Sequence, residues 1–435
     1  MPTRSQTWSR YDVLANGLGY SFEHFDKAAD RHERIFLFGD TFAYGTYDGE
    51  PEGAAYVDPG TGQVVFPASS QWNYHGKDPF AWSTTTDPNR ALNIHFFMDK
   101  QTGLPLFVVP VNADGVQAVP TGGDDIPNSG ISVGGHIYIV YSSGSEPTCT
   151  PQPLCTHANN YSVLVRYDPA SDTFPLLRPI SYVAQGGHFV FTSMHDYPLR
   201  VGPYTEPTIV IFGVGHFRDS DVYLAIVPRK DFETLKNVRY FVGLSSNNTP
   251  IWTDLAPSWN SDAEAAAQPV VTDDQQPSTI GNVSVSYVEQ LGVWLMTYDA
   301  ADQTGSGAGR NVFFRYAPEP WGPWSAAQTI YDPCADGGFG TFIHAGKGSC
   351  AVDPSTPGPA GPMAGEEQGN NPSKTPGTVF APYMIERFSR VSGDTLTIDF
   401  TMSTWNPYTV VRMESSFTIL HIPQPPPIHG GPPGV

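Results

Sequence analysis

The sequence predicts an all-β protein, because strand-like runs are frequent, turn-forming residues separate them and helical periodicity is scarce. Runs such as LPLFVVPV, HIYIVYS, TIVIFGVG and GVWLMTYD are short, rich in Val, Ile, Tyr and Phe, and bounded by Gly, Pro, Asn or Asp. The 43 glycines and 42 prolines are spread without a three-residue period, which excludes collagen and indicates many turns. Only residues 229–241 and 262–268 have helical character.

The strands recur in five similar units, in which a strand led by glycine or asparagine is followed by a tight turn and an apolar, aromatic strand. NGLGYSFEHFDKAADRHERIFLFGDTF is the first unit, and NSGISVGGHIYIVYSS and GNVSVSYVEQLGVWLMTYD belong to two others. Radially repeated four-stranded sheets are the natural packing for such units. The sequence therefore predicts a five-bladed β-propeller as one domain over residues 1–422. The blade that closes the ring could include one strand from the opposite terminus of the chain. A sandwich of two sheets is the alternative.

Two segments have the composition of irregular chain. Residues 353–377 are rich in Pro and Gly and are predicted to form an excursion before the last blade. Residues 423–435 (PQPPPIHGGPPGV) are predicted to be a disordered tail with polyproline II character. Neither segment offers residues for a core.

Charge composition restricts the partners of the protein. The chain has 23 basic and 43 acidic residues, a net charge of −20. Such a surface repels phosphate backbones and anionic membranes, so neither nucleic acid nor a membrane is a predicted partner. A neutral polysaccharide or oligosaccharide is not repelled by this surface and is the expected partner. The protein is expected to be a monomer.

The four cysteines fall into two local pairs, Cys149 with Cys155 and Cys334 with Cys350. Each pair brackets a loop that a disulfide could close, and four free thiols are the alternative. A zinc site fits less well, because neither pair has the two-residue spacing of a zinc knuckle. Disulfides require an oxidising compartment, and MPTRSQTWSR has no apolar signal segment. We therefore expect a secreted, extracellular protein whose leader is absent from this chain.

Polar residues at the starts of the inner strands of a propeller converge on one funnel, which makes them candidates for a site. Asp40 ends the apolar run IFLFGD, directly after a glycine that lets the backbone bend. It is either a local turn residue or a catalytic carboxylate that faces the funnel. A second carboxylate for hydrolysis of a glycosidic bond is then Glu23 (YSFEHF) or Asp219 (GHFRDSD). Arg218 either holds a carboxylate ionised or is only a structural partner of Asp219.

A second set of residues is predicted to contact a sugar. Its members are Asn128, His188, Arg218, Asn282, His344 and Trp405. Asn128, His188 and Asn282 each lead a predicted inner strand, where a role at a turn or at the end of a strand ladder is the alternative. Trp405 could stack on a sugar face, and packing inside a blade is its alternative. Weaker candidates in loops are Asp78, His195 and Asp196.

No nucleotide-binding loop, zinc-protease helix or serine-hydrolase elbow is present in the sequence. We therefore predict no cofactor, although a structural ion on the propeller axis is compatible with the sequence.

Five groups of residues carry a resemblance to a known family. They are FLFGDTF, FGVGHFRDSDVYLAIV, GNVSVSYVEQLGVWLMTYD, WGPWSAAQTIYDP with GGFGTFIH, and TMSTWNPYTVVRM. In this order, from Asn16 to Met413, they resemble the five-bladed propeller domain of the endo-D-arabinanases, glycoside hydrolase family 183, formerly a domain of unknown function. The resemblance implies hydrolysis of D-arabinofuranosyl linkages in mycobacterial-type arabinan by two central acidic residues, of which Asp40 in FGDT is one.

The chain departs from that family in its first strand. Gly17, in NGLG, stands where the family tends to carry an aspartate. A hydrolase therefore needs another carboxylate, for which Glu23 and Asp219 are the candidates. The alternatives are an enzyme for another sugar, a carbohydrate-binding propeller without catalysis, and a structural propeller for protein contacts.

Overall fold

The computed structural model describes most of the predicted strands. The described residues are 7–11, 13–43, 56–57, 64–65, 74–120, 125–143, 160–198, 201–255, 259, 261–302, 309–343, 350, 377–405 and 409–419. The predicted tail and the predicted excursion, apart from Gly377, lie outside these residues, as do Cys149 and Cys155.

Five sheets follow one another along the chain. The first contains β1 (Val13–Asp26), β2 (Arg31–Ala43), β5 (Tyr74–Lys77), β6 (Phe80–Ser83) and β7 (His95–Phe96), and the short hairpin β3 (Tyr56–Val57) and β4 (Val64–Val65) is separate. The second contains β8 (Pro110–Val111), β9 (Ile126–Val133), β10 (His136–Ser143), β11 (Tyr161–Arg166) and β12 (Phe174–Tyr182). The third contains β13 (Phe191–Tyr197), β14 (Thr208–Val214), β15 (Tyr223–Pro228), β16 (Arg239–Leu244) and β17 (Pro250–Trp252).

The last two sheets are smaller. The fourth contains β18 (Val283–Val288), β19 (Val293–Ala301), β20 (Arg310–Ala317) and β21 (Gln328–Tyr331). The fifth contains β22 (Thr378–Met384), β23 (Arg390–Ser392), β24 (Thr395–Trp405) and β25 (Thr409–Thr418). The helices are α1 (Thr7–Tyr11), α2 (Ser261–Ala265) and three 3₁₀ segments, Val183–Gln185, Arg229–Thr234 and Glu386–Phe388.

Each sheet contributes one strand to an inner ring, and each ring strand contacts the ring strands of the two neighbouring sheets. This arrangement makes the fold a five-bladed β-propeller. The ring consists of β1, β9, β13, β18 and β22, and β22 returns to β1. Side chains link successive blades: the N–H of Val285 donates to Ser193 Oγ at 2.9 Å, and the N–H of Met384 donates to Ser284 Oγ at 3.0 Å. The predicted fold class is confirmed, and the sandwich alternative is wrong.

Blade five closes on blade one through hydrogen bonds, without exchange of a described strand. Thr401 Oγ1 donates to the carbonyl of Gly19 at 2.9 Å, and Ser403 Oγ donates to that of Leu18 at 3.0 Å. Gly19 has a φ of 86°, and a Cβ there would lie 2.9 Å from Val410 Cγ1. Only glycine therefore fits at this closure without a shift of its neighbours.

Local sequence was less reliable for the helices. Residues 229–241 form a 3₁₀ helix, Arg229–Thr234, and then β16, because Phe232 and Tyr240 are both buried within blade three. The segment at 262–268 contributes only the short helix α2.

None of the helices in the described ranges is long and apolar enough to cross a membrane. Cys334 and Cys350 form the predicted disulfide, with Cα atoms 5.6 Å apart.

Candidate functional site at the upper end of the propeller

The five inner strands run in the same direction, so the propeller has two chemically different ends. We call the end where these strands begin the upper end, and the opposite end the lower end. Hydrogen bonds between the first residues of β9 and β13 confirm their common direction: the N–H of Thr192 donates to Asn128 Oδ1 at 2.9 Å. Asp40 lies at the upper end, because β2 runs antiparallel to β1 and Gly39 pairs with Gly17.

Asp40 interrupts a buried strand. Its backbone is left-handed, with a φ of 51°, and the register of β2 on β1 shifts in this region. Aspartate tolerates this conformation better than most residues, and the bend marks the point where the apolar run ends. The side chain is partly buried. The N–H of Asp40 donates to Asp78 Oδ1 at 3.3 Å, so this backbone bend is held by a second aspartate.

Three acidic residues and one tyrosine share this location, and we call them the upper acidic cluster: Asp40, Asp78, Asp125 and Tyr141. Asp78 and Asp125 are 1% and 3% exposed. The hydroxyl of Tyr141 donates to Asp78 Oδ2 at 2.8 Å and lies 3.1 Å from the backbone carbonyl oxygen of Asp125. Burial, followed by the charge of Asp40, raises the pKa of Asp78 well above its usual range. Burial and the same carboxyl groups also raise the pKa of the Tyr141 phenol.

Gly17, which stands where the resemblance implies an aspartate, lies beside this cluster. Gly17 faces Gly39, the residue before Asp40. Its neighbour Asn16 is nearly buried, and Asn16 Oδ1 accepts a hydrogen bond of 2.7 Å from Thr41 Oγ1. The amide of Asn16 therefore joins β1 to β2 at the point where the carboxylate is missing.

Glu23 is not part of this site, which corrects one expectation from the sequence. It pairs with Arg34 in the register of β1 on β2, six residues beyond Gly17. At about 3.3 Å per residue, this places it roughly 20 Å away, at the lower end. Glu23 forms ion pairs there with Arg34 and Arg387. The structure does not bring Glu23 and Asp40 together, since successive residues of a strand advance along its axis.

The weaker candidates His195 and Asp196 also lie towards the lower end, on β13. His195 Nδ1 lies 3.2 Å from Glu386 Oε1, and Asp196 Oδ1 accepts a hydrogen bond of 2.7 Å from Arg229 Nε. Both side chains therefore have structural partners away from Asp40.

Asp219 does lie at the upper end, in the loop between β14 and β15. Its side chain is 55% exposed, and Oδ2 lies 4.0 Å from His216 Nδ1. The guanidinium of Arg218 lies 4.7 Å from the ring centroid of Phe217, and that ring packs on Phe191 at the start of β13 with centroids 5.2 Å apart. Aromatic contact thus fixes the loop on the inner strand, while Asp219 stays in contact with solvent.

Asn128 and Asn282 connect blades. Asn128 Nδ2 donates to Ser142 Oγ and, at 2.9 Å, to the carbonyl of Val190. Because its Oδ1 also accepts from Thr192, the amide is fully used within the protein. Asn282 is 2% exposed, and its Nδ2 donates to the Tyr383 hydroxyl at 3.0 Å. These contacts support the structural alternative for both residues rather than binding of a sugar.

His188 precedes β13 at the upper end and stacks on Tyr223, with ring centroids 3.7 Å apart and planes 9° from parallel. Burial lowers the pKa of His188 to about 4. Its imidazole is therefore neutral near pH 7, able to donate one hydrogen bond and accept another.

His188 is expected to make stability depend on pH between about 4 and 6.5. In that window His188 binds a proton in the unfolded chain but not in the folded protein, so the free energy of unfolding falls as the pH falls. The full effect is less than about 3 kcal/mol, since each pKa unit corresponds to about 1.4 kcal/mol and solvent screens the charge of this partly exposed ring. His188→Phe keeps a ring on Tyr223 and removes the titration. Thermal unfolding at pH 7 and pH 4.5 should show a smaller loss for this variant than for the parent, and equal losses would contradict the prediction. His136→Phe, at an exposed position, is the control.

Two predicted sugar contacts have no described side chain. His344 lies outside the described residues, and Trp405 is described only as the last residue of β24. In the described part of the chain, no group of three or more His, Cys, Asp or Glu residues is arranged to hold a metal ion.

Asp78 is only a weak candidate in the sequence, and Tyr141 is not a candidate there. Asp78 lies in KDPF, between β5 and β6, and Tyr141 lies in IVYSS on β10. Neither segment has a pattern that distinguishes it from an ordinary strand end. An aspartate that directly precedes a proline and an apolar strand was the one available signal.

Comparisons with known proteins gave a family profile and several solved structures. A family profile described as "Domain of unknown function (DUF4185)" matches residues 3–414. A search of curated protein sequences gave no match.

Among solved structures, the endo-arabinase of Bacteroides thetaiotaomicron is 9% identical, with a TM-score of 0.38 and coverage of 94% of this chain and 98% of the other. A thermostable family-43 glycoside hydrolase is 11% identical, with a TM-score of 0.38 and coverage of 94% and 96%. The Penicillium chrysogenum alpha-L-arabinanase complexed with arabinobiose is 8% identical, with a TM-score of 0.31 and coverage of 66% and 61%. Likeness at this level does not define an activity.

Proposed function

Since the chain belongs to the DUF4185 family of unknown function, we propose its activity from its own site: it is a glycoside hydrolase that cleaves a furanosidic polysaccharide. The substrate class is arabinan with D-arabinofuranosyl linkages, to which the resemblance of its ordered segments to the endo-D-arabinanases points. The observation that carries the proposal is the position of Asp40 at a bend of the upper end, beside two buried acidic residues.

Two carboxyl groups are required for the reaction. A carboxylic acid donates its proton to the glycosidic oxygen as the bond between that oxygen and C1 breaks, and a carboxylate takes a proton from the water that adds to C1. Asp40 supplies one of these groups. Asp219 supplies the other, because it is exposed at the same end of the propeller on a loop fixed by Phe217. Glu23 is excluded by its position at the lower end.

The surroundings of the site suit a neutral sugar. The net charge of −20 disfavours anionic polymers near the upper acidic cluster. The disulfide between Cys334 and Cys350 supports a protein that works outside the cell, and we propose that it acts there as a monomer.

A second candidate function is carbohydrate binding without catalysis. It is favoured by Gly17, which leaves the family's first-strand carboxylate absent beside Asp40. In that case Asp40 would accept hydrogen bonds from sugar hydroxyls.

One experiment separates the two functions. The full chain is incubated with D-arabinan, and in parallel with L-arabinan, and new reducing ends are measured. Their release from D-arabinan supports hydrolysis, and release from L-arabinan alone would change the sugar. Heat of binding measured by calorimetry, without new reducing ends, would establish the binding function. If both polymers gave neither heat of binding nor new reducing ends, both proposals would be rejected.

A further inference from the structure

Asp78 is the most deeply buried acidic side chain of the upper acidic cluster, and the proposed reaction does not use it. It is 1% exposed, so it lies behind Asp40 and cannot contact a polymer without a rearrangement. Both of its oxygens have defined neighbours. Oδ1 accepts from the N–H of Asp40 at 3.3 Å, and Oδ2 accepts from the Tyr141 hydroxyl at 2.8 Å.

The described side chains that face Asp78 offer no positive charge. The titratable groups that act on it, from β2, from the start of β9 and from β10, are Asp40, Asp125 and Tyr141. No ion pair joins Asp78 to a Lys, Arg or His in the described ranges. Two other buried carboxylates do have such partners: Asp299 pairs with Arg310, and Asp399 pairs with Arg390 and Arg412. Glu264 is instead held by neutral donors, from Ser181, Trp259 and the N–H of His188. Burial of a charge without a cation is expensive. The two hydrogen bonds that Asp78 accepts lower its pKa, but burial and the charge of Asp40 outweigh them, so the neutral acid is favoured.

We propose that Asp78 holds a proton in the resting protein and, with Tyr141, forms a neutral support behind Asp40 that keeps the Asp40 carboxylate ionised and in place. Asp78 is thus a positioning residue, since it acts through Asp40. This inference rests on the proposed function for its catalytic consequence, but not for the location of the proton.

The consequence for Asp40 follows from the coupling of the two groups. Neighbouring carboxyl groups lose their protons in two steps that belong to the pair. If the buried member keeps its proton, the accessible member can be ionised near neutral pH without a second charge beside it. If Asp78 also ionised, the repulsion between the two negative charges would favour a proton on Asp40.

Infrared difference spectroscopy tests where the proton is without any substrate. The parent protein at pH 7 is expected to show the carbonyl stretch of a protonated carboxylic acid, and Asp78→Asn is expected to lack it. Tyr141→Phe should retain the band at a shifted frequency, because the carbonyl loses a hydrogen-bond donor. Asp87→Asn, which removes an exposed carboxylate outside the site, should leave the band unchanged. Absence of the band in the parent, or its persistence in Asp78→Asn, would overturn the proposal.

Thermal unfolding gives an independent readout. A carboxyl group with a raised folded pKa contributes stability that is present below its unfolded pKa and is lost as the pH rises. Asp78→Asn removes this loss, so its melting temperature should exceed that of the parent by more at pH 7 than at pH 4. The proposal is contradicted if the difference in melting temperature between Asp78→Asn and the parent is no larger at pH 7 than at pH 4. If Asp78→Asn does not fold, the band shift in Tyr141→Phe decides.

These outcomes are separable from those of the proposed function. A protein that shows the band but releases no reducing ends from arabinan keeps the protonated Asp78 and loses the hydrolase proposal. A protein that hydrolyses arabinan but lacks the band keeps the activity and loses this inference. If both hold, Asp78→Asn should retain hydrolysis within a few-fold near pH 6, because its amide imitates the neutral acid.

Discussion

Asp40→Asn is expected to reduce hydrolysis of arabinan by at least about 100-fold, because acid–base catalysis by a positioned carboxyl group contributes about 10²–10⁴-fold. The amide has nearly the same shape as the carboxylate, and the N–H that donates to Asp78 belongs to the backbone and is retained. The fold should therefore be preserved. The measurement is the rate of formation of reducing ends from D-arabinan at saturating substrate.

The matched control is Asp87→Asn, which removes an exposed carboxylate of the same blade, paired with Arg90 at 3.3 Å. It should retain the parent rate. Asp219→Asn extends the test, because a loss as large as that of Asp40→Asn would identify it as the second group. Hydrolysis by a folded Asp40→Asn protein at the parent rate would remove Asp40 from the mechanism.

Asp299→Ala is expected to lower the free energy of unfolding by about 3–5 kcal/mol, the usual cost of removing one partner of a buried ion pair. Asp299 is 0% exposed, and its carboxylate accepts from Arg310 Nε at 2.8 Å. It also accepts backbone N–H groups from Asn282 at 3.0 Å and from Ala381, in blade five, at 3.3 Å. Its removal leaves a cation and two N–H donors unpaired between blades four and five.

Urea-induced unfolding followed by tryptophan fluorescence measures this loss. Asp87→Ala, which breaks an exposed ion pair on blade one, is the control and should cost no more than about 1 kcal/mol. A similar small loss in Asp299→Ala would show that blades four and five do not depend on this carboxylate.

The blade strands were predictable because their signal is local. In HIYIVYS and TIVIFGVG the apolar and β-branched residues follow each other within one strand, and both became buried strands, β10 and β14. The disulfide of Cys334 and Cys350 was also predictable, since both residues bracket one short loop. Residues 229–241 were not, because burial in blade three outweighs the local helical pattern.

The sequence predicted two acidic residues that lie at the upper end, Asp40 and Asp219. A glycine followed by a carboxylate at the end of an apolar run is visible in FLFGD, and the structure places that residue at the upper end. Glu23 is close to Asp40 in sequence, but the register of β1 on β2 carries it to the opposite end, where Arg34 and Arg387 bind it. Asp78 and Tyr141 come from different blades, and no spacing in the sequence joins them.

The sequence by itself determined the strands, the number of blades and the acidic character of the protein, and it made Asp40 a candidate. Only the tertiary structure decided which end of the propeller the described candidates occupy and that Asn128 and Asn282 join blades. It also decided that Asp78 lies buried behind Asp40 with no cation among the described side chains beside it. The reason is physical. Alternation within a strand depends on neighbouring residues, whereas register and closure of the ring bring together side chains that are distant in the chain, and burial and pKa follow from that arrangement.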